Sequence, residues 1–383
     1  MAPCICTLGV KSERTHLNFN SIFTTTFLFL LLKLKMTEFK TPTNRRIRTR
    51  LEHNSEFQAP IKIPASPFLK QIGYGCGVNV FQLERSPRVG CSRSPWAIKK
   101  RNGWAKDKKY DERIRLEAEI LRNLKHPNIV GFRAFTMSET GAPCLAMEQL
   151  DISLGDMIEE KAENVNGPFK ASAIQNVSFE IAKGLNYLHH IVQILHGDVK
   201  SYNILVSKNL NIVKICDFGV SVPITEKLEL DKSNGDFVYT GTECWNAPEI
   251  ITGEGPVTNK TDMWAYGLVI WEMIALSPPH IEIDESMNTS AFDDLTFEDS
   301  MKLQDDSKIQ SLDESFVEEK CKAKYGTRPA LPAIEIGMEY TKVLEIFFLC
   351  TEQDYKTRPS AKGVVSYFNN HVKLSSTCEK TNI

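Results

Sequence analysis

Apolar residues recur along this chain with two different spacings. Apolar positions at helical spacing, or long apolar runs, favour helices in residues 110–124, 178–190, 262–275 and 340–347. Short apolar runs bounded by glycine or polar residues favour strands in residues 68–72, 144–150, 203–206 and 211–216. The pattern therefore predicts both strands and helices between residues 68 and 347.

Residues 36–66 and about 281–325 lack any sustained apolar period. The first segment is polar and basic, which predicts a flexible arm. The second is acidic and rich in Ser and Asp, which predicts a loosely held insertion, with substrate docking as the alternative role. We therefore expect an arm before a folded domain and an insertion within it.

The beginning of the chain contains an apolar stretch at residues 21–32, which is shorter than the ~20 residues that span a bilayer. A signal-peptide core is the alternative, but lysines follow where a small-residue cleavage site should lie. We expect that Met36 is the functional start and that residues 1–35 are an extension, so no membrane association is predicted.

The composition is that of a soluble globular protein, with 42% hydrophobic and 25% charged residues in 383. That length allows one large domain or two ordinary ones. A net charge of −2 gives no general attraction to nucleic acid, so no nucleic-acid partner is expected. The 10 cysteines lack the paired spacing of a metal site and favour free thiols, hence a cytoplasmic or nuclear location.

The candidate chemistry lies in residues 196–203, which read His-Gly-Asp-Val-Lys-Ser-Tyr-Asn, and in Asp217-Phe218-Gly219. Asp198 can accept a hydroxyl proton, and Lys200 can neutralise charge on a phosphoryl group. Asn203 and Asp217 supply oxygen ligands for Mg²⁺. A chance scatter of Asp and Asn in a turn would explain either motif alone, but hardly both.

A glycine-rich stretch with Gly73, Gly75 and Gly77 precedes these motifs. Glycines let the backbone approach phosphates and direct amides towards them. A lone glycine-rich loop is a weak signal, but Trp96-Ala97-Ile98-Lys99 follows it as a predicted strand. Strand alternation allows only one of Lys99 and Lys100 to face inwards.

Together these motifs resemble the eukaryotic protein-kinase domain, and the Ala-Pro-Glu at residues 247–249 agrees. The resemblance covers residues 67–371, leaving 372–383 as a tail. It implies an α+β, bilobal protein-kinase fold with a small β-rich N-lobe and a large helical C-lobe. Within that family the chain is similar to MAP kinase kinases. It departs from the usual pattern at Gly197, where arginine is common, and at the third glycine, which stands at 77 rather than 78.

The resemblance implies ATP and Mg²⁺ as cofactors, and it assigns three sets of residues. The catalytic set is Lys99, Glu117, Asp198, Lys200, Asn203 and Thr242. The nucleotide-binding set is Ile72, Gly73, Gly75, Gly77, Val80, Ala97, Lys99, Met147, Glu148, Leu150 and Asp217. The metal-binding set is Asn203 and Asp217.

Several contacts follow from these assignments. The Ala-Ile-Lys register selects Lys99 over Lys100. The spacing to the following Ile120-Leu121, which matches that of the family, selects Glu117 as its partner, with Glu119 as the alternative. Thr242 should brace Asp198 and Lys200, as in Ser/Thr-type kinases.

Two structural contacts are also expected. Asp262 should bind the backbone of the catalytic loop, and Arg358 should pair with Glu249.

Regulation and partners rest on shorter patterns. Thr41-Pro42 is a candidate site for a proline-directed kinase, for which the resemblance implies a cyclin-dependent kinase; an incidental Thr-Pro carries equal weight. Thr381 and Ile383 suit strand addition to the groove of a PDZ-domain protein. Gly197 offers no charge to an activation-loop phosphate, so we expect regulation from elsewhere.

The resemblance implies a mitosis-linked Ser/Thr kinase with a protein substrate, and it leaves dual specificity towards a MAP kinase open. The competing interpretation is a pseudokinase scaffold that recruits a PDZ-domain partner. The presence of Lys99, Asp198, Asn203 and Asp217 argues against it. A small-molecule kinase is disfavoured by residues 241–249, which form a peptide-facing surface in protein kinases.

Overall fold

The computed structural model describes residues 69–75, 77–84, 95–102, 108–138, 140–164, 167–233, 235, 237–280, 322 and 324–378. Contacts divide the chain into two units, residues 1–46 with 232–236 and residues 47–231 with 237–383. Every element below belongs to the second unit. Thr41, Thr381, Ile383 and nearly all of the insertion predicted at about 281–325 lie outside the described residues.

The first part of the fold is a five-stranded antiparallel sheet with the order β1-β2-β3-β5-β4. Its strands are β1 (Lys70–Gly75), β2 (Val78–Leu83), β3 (Trp96–Arg101), β4 (Phe132–Met137) and β5 (Pro143–Glu148). The glycine-rich stretch forms the tight connection between β1 and β2. There Gly77 has a φ of 72°, a conformation that favours glycine.

One helix, α1 (Lys109–Asn123), packs against this sheet. Its buried face consists of Ile114, Glu117, Ala118, Ile120 and Leu121. A carboxylate on an otherwise apolar face needs a charged partner when it is buried. Glu117 is therefore expected to pair with a cation.

The second part is mainly helical. Its helices are α2 (Leu154–Asn164), α3 (Ala171–Tyr187), α4 (Pro248–Ile251), α5 (Asn259–Ala275), α6 (Thr341–Cys350) and α7 (Ala361–Cys378). Helix α5 is hydrophobic on all sides and buried along nearly its whole length, as expected of a central core helix. It begins with a capping box at Thr258 and Thr261.

Five short strands and a π-helical turn position the loops between the lobes. The turn, Leu188–Val192, continues α3 and leads into β7 (Ile194–Leu195). Strand β10 (Val222–Pro223) pairs with β7. Strands β8 (Ile204–Val206) and β9 (Val213–Ile215) pair with each other and, through β8, with β6 (Ile152–Ser153).

The predicted strands and helices are present, with shifted bounds. Helix α3 begins at Ala171, seven residues before the predicted start at 178 (178 − 171), because buried residues such as Ile174 and Val177 extend its apolar face. The sheet followed by a helical part confirms the protein-kinase fold. Among the described residues, no helix is both long and apolar enough to cross a membrane.

Candidate active site

Strand β3 orients the two neighbouring lysines in opposite directions. Lys99 is 8% exposed, and the Lys100 amine lies 4.6 Å from the centre of the Phe81 ring. The alternation expected of a strand therefore brings Lys99 to the inner side of the sheet.

Lys99 forms an ion pair with each of two acidic residues. Its Nζ lies 2.9 Å from Glu117 Oε2 on α1 and 2.9 Å from Asp217 Oδ1, which follows β9. Glu117 is 1% exposed, whereas Glu119 is on the exposed side of α1. The expected Lys99–Glu117 contact is present, and Glu119 does not take its place.

The electrostatics of this triad favour the charged forms of Lys99 and Asp217. Burial alone would lower the pKa of Lys99, but the carboxylates of Asp217 and Glu117 raise it above its usual value. Burial opposes ionisation of Asp217, yet the Lys99 charge and hydrogen bond lower its pKa to about 2. A cation and an anion are therefore maintained side by side at neutral pH.

The loop between β7 and β8 brings a second set of polar groups together. Thr242 Oγ1 donates a hydrogen bond to Asp198 Oδ1 at 2.6 Å and accepts one from Lys200 Nζ at 2.8 Å. Lys200 Nζ also lies 3.0 Å from Asp198 Oδ2. Asn203 Nδ2 donates to the backbone oxygen of Asp198 at 2.8 Å and to its Oδ2 at 3.0 Å. The bracing expected of Thr242 is thus present, and both Asp198 oxygens are fixed.

The backbone of this loop is bound by a buried carboxylate on α5. Asp262 Oδ2 accepts from His196 N at 2.8 Å, and Oδ1 accepts from Gly197 N at 3.2 Å. Gly197 has a φ of 85°, and a Cβ there would lie 2.7 Å from the carbonyl oxygen of Val220. The backbone conformation and the close Val220 carbonyl therefore both favour glycine at this position, which also carries no charge.

The remaining nucleotide-binding candidates lie along the sheet and the strand that leaves it. Val80 is opposite Lys99 in the register of β2 and β3, and Ala97 is opposite Met147 in that of β3 and β5. The Met147 side chain is 5% exposed.

Ile72, Gly73 and Gly75 belong to β1, with Ile72 39% exposed, and Gly77 begins the approach to β2. Glu148 ends β5, and Leu150 follows it. The Glu148 carboxylate accepts from Gly131 N at 3.0 Å and lies 3.3 Å from Lys214 Nζ, so it serves the packing of the lobes.

The site fits ATP and Mg²⁺. The backbone N–H of Cys216 donates to the carbonyl of Asn203 at 3.0 Å, so Asp217 follows directly beside Asn203. The two hydrogen bonds of the Asn203 amide described above both use Nδ2, and its Oδ1 can therefore face a cation. One carboxylate with an amide oxygen is the sparse protein contribution that Mg²⁺ needs when phosphate oxygens complete its shell. Lys99 supplies the adjoining positive charge.

Two residues that support the site, Glu272 and Tyr239, were not expected from the sequence. Glu272 on α5 accepts from Ser201 Oγ at 2.6 Å and from Trp245 Nε1 at 2.9 Å. Tyr239 donates its hydroxyl to Asp262 Oδ1 at 3.3 Å. A glutamate inside an apolar helix is a sequence signal that could have indicated the role of Glu272. The sequence around Tyr239 contains no comparable signal.

Comparisons with known proteins agree with this arrangement. A family model described as the protein kinase domain matches residues 68–368. Human lymphokine-activated killer T-cell-originated protein kinase is 42% identical over 317 residues, covering 82% of this chain and 92% of that protein. Rat mitogen-activated protein kinase kinase kinase 12 is 36% identical over 166 residues, 43% of this chain and 17% of that protein. Mouse mitogen-activated protein kinase kinase kinase 13 is 35% identical over 179 residues, 47% and 17% of the two chains.

Proposed function

This chain belongs to the protein kinase family, and from that premise we propose that it is an active Ser/Thr kinase, transferring the γ-phosphoryl group of ATP to protein hydroxyls. The observation that carries the proposal is the Thr242 hydroxyl, which bonds both Asp198 and Lys200. The site contains Lys99, Glu117, Asp198 and Asp217. Their presence supports catalysis rather than a scaffold role.

The side chains divide the work of phosphoryl transfer between positioning and charge. When bound, ATP with Mg²⁺ supplies the phosphoryl group and neutralises part of its charge. Lys99, fixed by two carboxylates, holds phosphate oxygens. Asp198 orients the substrate hydroxyl and accepts its proton, while Lys200 places a positive charge beside the transferred group. Asn203 and Asp217 hold the metal.

The finer features remain parts of this proposal. Similarity to mitogen-activated protein kinase kinase kinases supports a place in MAP kinase signalling. A MAP kinase as one candidate substrate rests instead on the resemblance of the sequence to MAP kinase kinases. A link to mitosis and dual specificity rest on the sequence resemblance. A cytoplasmic or nuclear location rests on the pattern of cysteines, and a PDZ-domain partner rests on Thr381 and Ile383. Thr41 is proposed as the site of an upstream cyclin-dependent kinase.

The test is phosphoryl transfer by the purified full chain with ATP, Mg²⁺ and a degenerate Ser/Thr/Tyr peptide library. Asp198→Asn and Lys99→Met are expected to abolish transfer. Lys100→Met is the matched control and should retain it, because that amine lies over the Phe81 ring. Transfer onto Ser and Thr peptides supports the proposal. Intact ATP binding without transfer, even after treatment with mitotic extract, would favour the pseudokinase scaffold.

A further inference from the structure

Asp262 is a junction between three separate segments of the C-lobe. Besides the His196 and Gly197 amides, its Oδ2 lies 2.8 Å from His189 Nε2, at the end of α3. Its Oδ1 also accepts from the Tyr239 hydroxyl, which belongs to the segment after Asp217-Phe218-Gly219. The carboxylate is fully buried, so each of these donors replaces a hydrogen bond to water.

Tyr239 is well placed to act as a fixed donor. It is 5% exposed and packs in a cluster with Leu195, Val222 and Ile224. Burial and the neighbouring Asp262 carboxylate raise its pKa well above the usual value. The phenol therefore stays protonated at neutral pH and can donate throughout the range in which the enzyme works.

The segment that follows leads directly to the reacting groups. Thr242 is three residues after Tyr239 (242 − 239) and bonds Asp198 and Lys200. Between them, Gly241 has a φ of 59°, and the backbone oxygen of Thr240 accepts from Asn246 Nδ2 at 3.2 Å. Tyr239 and Thr242 are therefore connected by a short turn that a hydrogen bond to Asn246 holds in place.

The same segment is also held by backbone contacts. Strand β10 pairs with β7, Ile224 N donates to Gln193 O at 3.0 Å, and Leu230 N donates to Val257 O at 2.8 Å. Gly197 provides no cation for a phosphate, and its amide shares Asp262 Oδ1 with the Tyr239 hydroxyl.

We propose that the Tyr239 hydroxyl is a positioning group for phosphoryl transfer. Through Asp262 it holds the segment after Asp217-Phe218-Gly219 against the backbone of the catalytic loop, and so keeps Thr242 on Asp198 in a chain whose Gly197 offers no cation to a phosphorylated residue. The inference rests on the proposed kinase activity and adds a mechanism for holding its active conformation.

The experiment compares two variants of the full chain that each remove one buried hydroxyl. Tyr239→Phe removes the donor to Asp262. Tyr266→Phe is the matched control, because Tyr266 is also fully buried on α5 and donates to the Ser178 carbonyl at 3.1 Å, outside the set that contacts Asp198. Peptide phosphorylation gives kcat and the KM for ATP, and thermal melting gives stability.

Tyr239→Phe is expected to lower kcat about 10-fold, as for the loss of a hydrogen bond to a charged group, and to leave the KM for ATP within about 2-fold. Tyr266→Phe should lower the melting temperature about as much as Tyr239→Phe does, because each variant removes one buried hydroxyl. It should leave kcat unchanged. Equal kcat values in the two variants would overturn the proposal. So would failure of Tyr239→Phe alone to melt cooperatively, since that would show a purely structural role.

A second comparison tests the route through Thr242. Because Tyr239 acts by holding Thr242, adding Tyr239→Phe to Thr242→Ala should lower kcat little further. Multiplicative losses would contradict that route. An inactive wild type would instead disprove the proposed function, so the two failures remain distinguishable.

Discussion

At the scale of single residues, the geometry of α1 separates two glutamates of equal charge. Glu117 is buried and lies 2.9 Å from Lys99, whereas Glu119 is exposed. The two side chains carry the same charge but point in different directions from the helix. Substituting each in turn therefore separates the effect of a negative charge on α1 from the effect of the contact with Lys99.

Glu117→Gln is expected to lower kcat/KM for ATP on the order of 10²-fold, because Lys99 then has only Asp217 to fix it and small misplacements are costly. Glu119→Gln, the control on the same helix, should leave kcat/KM unchanged. Steady-state kinetics with varied ATP measure both. Similar losses in the two variants would show that general charge, and not the ion pair, is what matters.

Residue-scale predictions from sequence succeed where one period decides the direction of a side chain. Alternation along β3 shows that only one of Lys99 and Lys100 faces inwards, and the motifs shared with the protein-kinase family identify Lys99 and its partner Glu117. The Tyr239–Asp262 bond joins residues 23 positions apart in different elements, and no period relates them. Such a contact depends on the three-dimensional course of the chain.

At the scale of elements, α5 connects the catalytic loop with the turn Glu243–Trp245 through one carboxylate. Glu272 binds Ser201 on one side and Trp245 on the other. Burial raises the pKa of Glu272 to about 7, although both hydrogen bonds oppose the rise. The Glu272 carboxyl therefore loses its proton near pH 4.5 in the unfolded chain but keeps it up to about pH 7 in the folded protein.

Because the folded pKa is the higher one, this group stabilises the fold fully below about pH 4.5, and the contribution is lost as pH rises through about 7. Glu272→Gln should remove that loss, since the amide can accept from Trp245 and donate to Ser201. Urea unfolding should show the variant gaining about 3 kcal/mol relative to wild type between pH 4 and pH 8. Glu254→Gln, at an exposed position, should show no such gain. A pH-independent difference would contradict the assignment.

Element-scale predictions were limited by very short strands. No strand was predicted in residues 220–239, yet they contain β10, which pairs with β7. A two-residue strand is determined by its partner and by the cluster of Leu195, Val222 and Ile224 rather than by local propensity. The π-helical turn Leu188–Val192 at the end of α3 likewise has no distinctive local pattern.

At the scale of the whole molecule, a buried ion pair joins helix α4 to the last part of the fold. Arg358, 1% exposed, donates from Nη1 and Nη2 to the two Glu249 carboxylate oxygens, each at 2.8 Å. Its remaining donors reach backbone oxygens, including that of Glu352 at 2.7 Å. The expected Arg358–Glu249 pair is therefore present and fully satisfied.

Arg358→Met should lower the free energy of unfolding by about 3–5 kcal/mol, because it leaves the Glu249 carboxylate buried without a partner. Arg328→Met is the control. Its ion pair with Glu352 at 2.7 Å is partly exposed and should contribute only about 1 kcal/mol. Urea unfolding monitored by tryptophan fluorescence measures both. Equal losses would mean that burial of the Arg358 pair adds nothing.

Helix α5 has a consequence for exchange of its amide hydrogens with solvent. Because all its sides are buried, no local opening can expose its backbone while the C-lobe around it stays packed. Its amides should therefore exchange deuterium only when the whole lobe unfolds. The slowest exchange rates in α5 then report the global stability of the enzyme directly, without any denaturant.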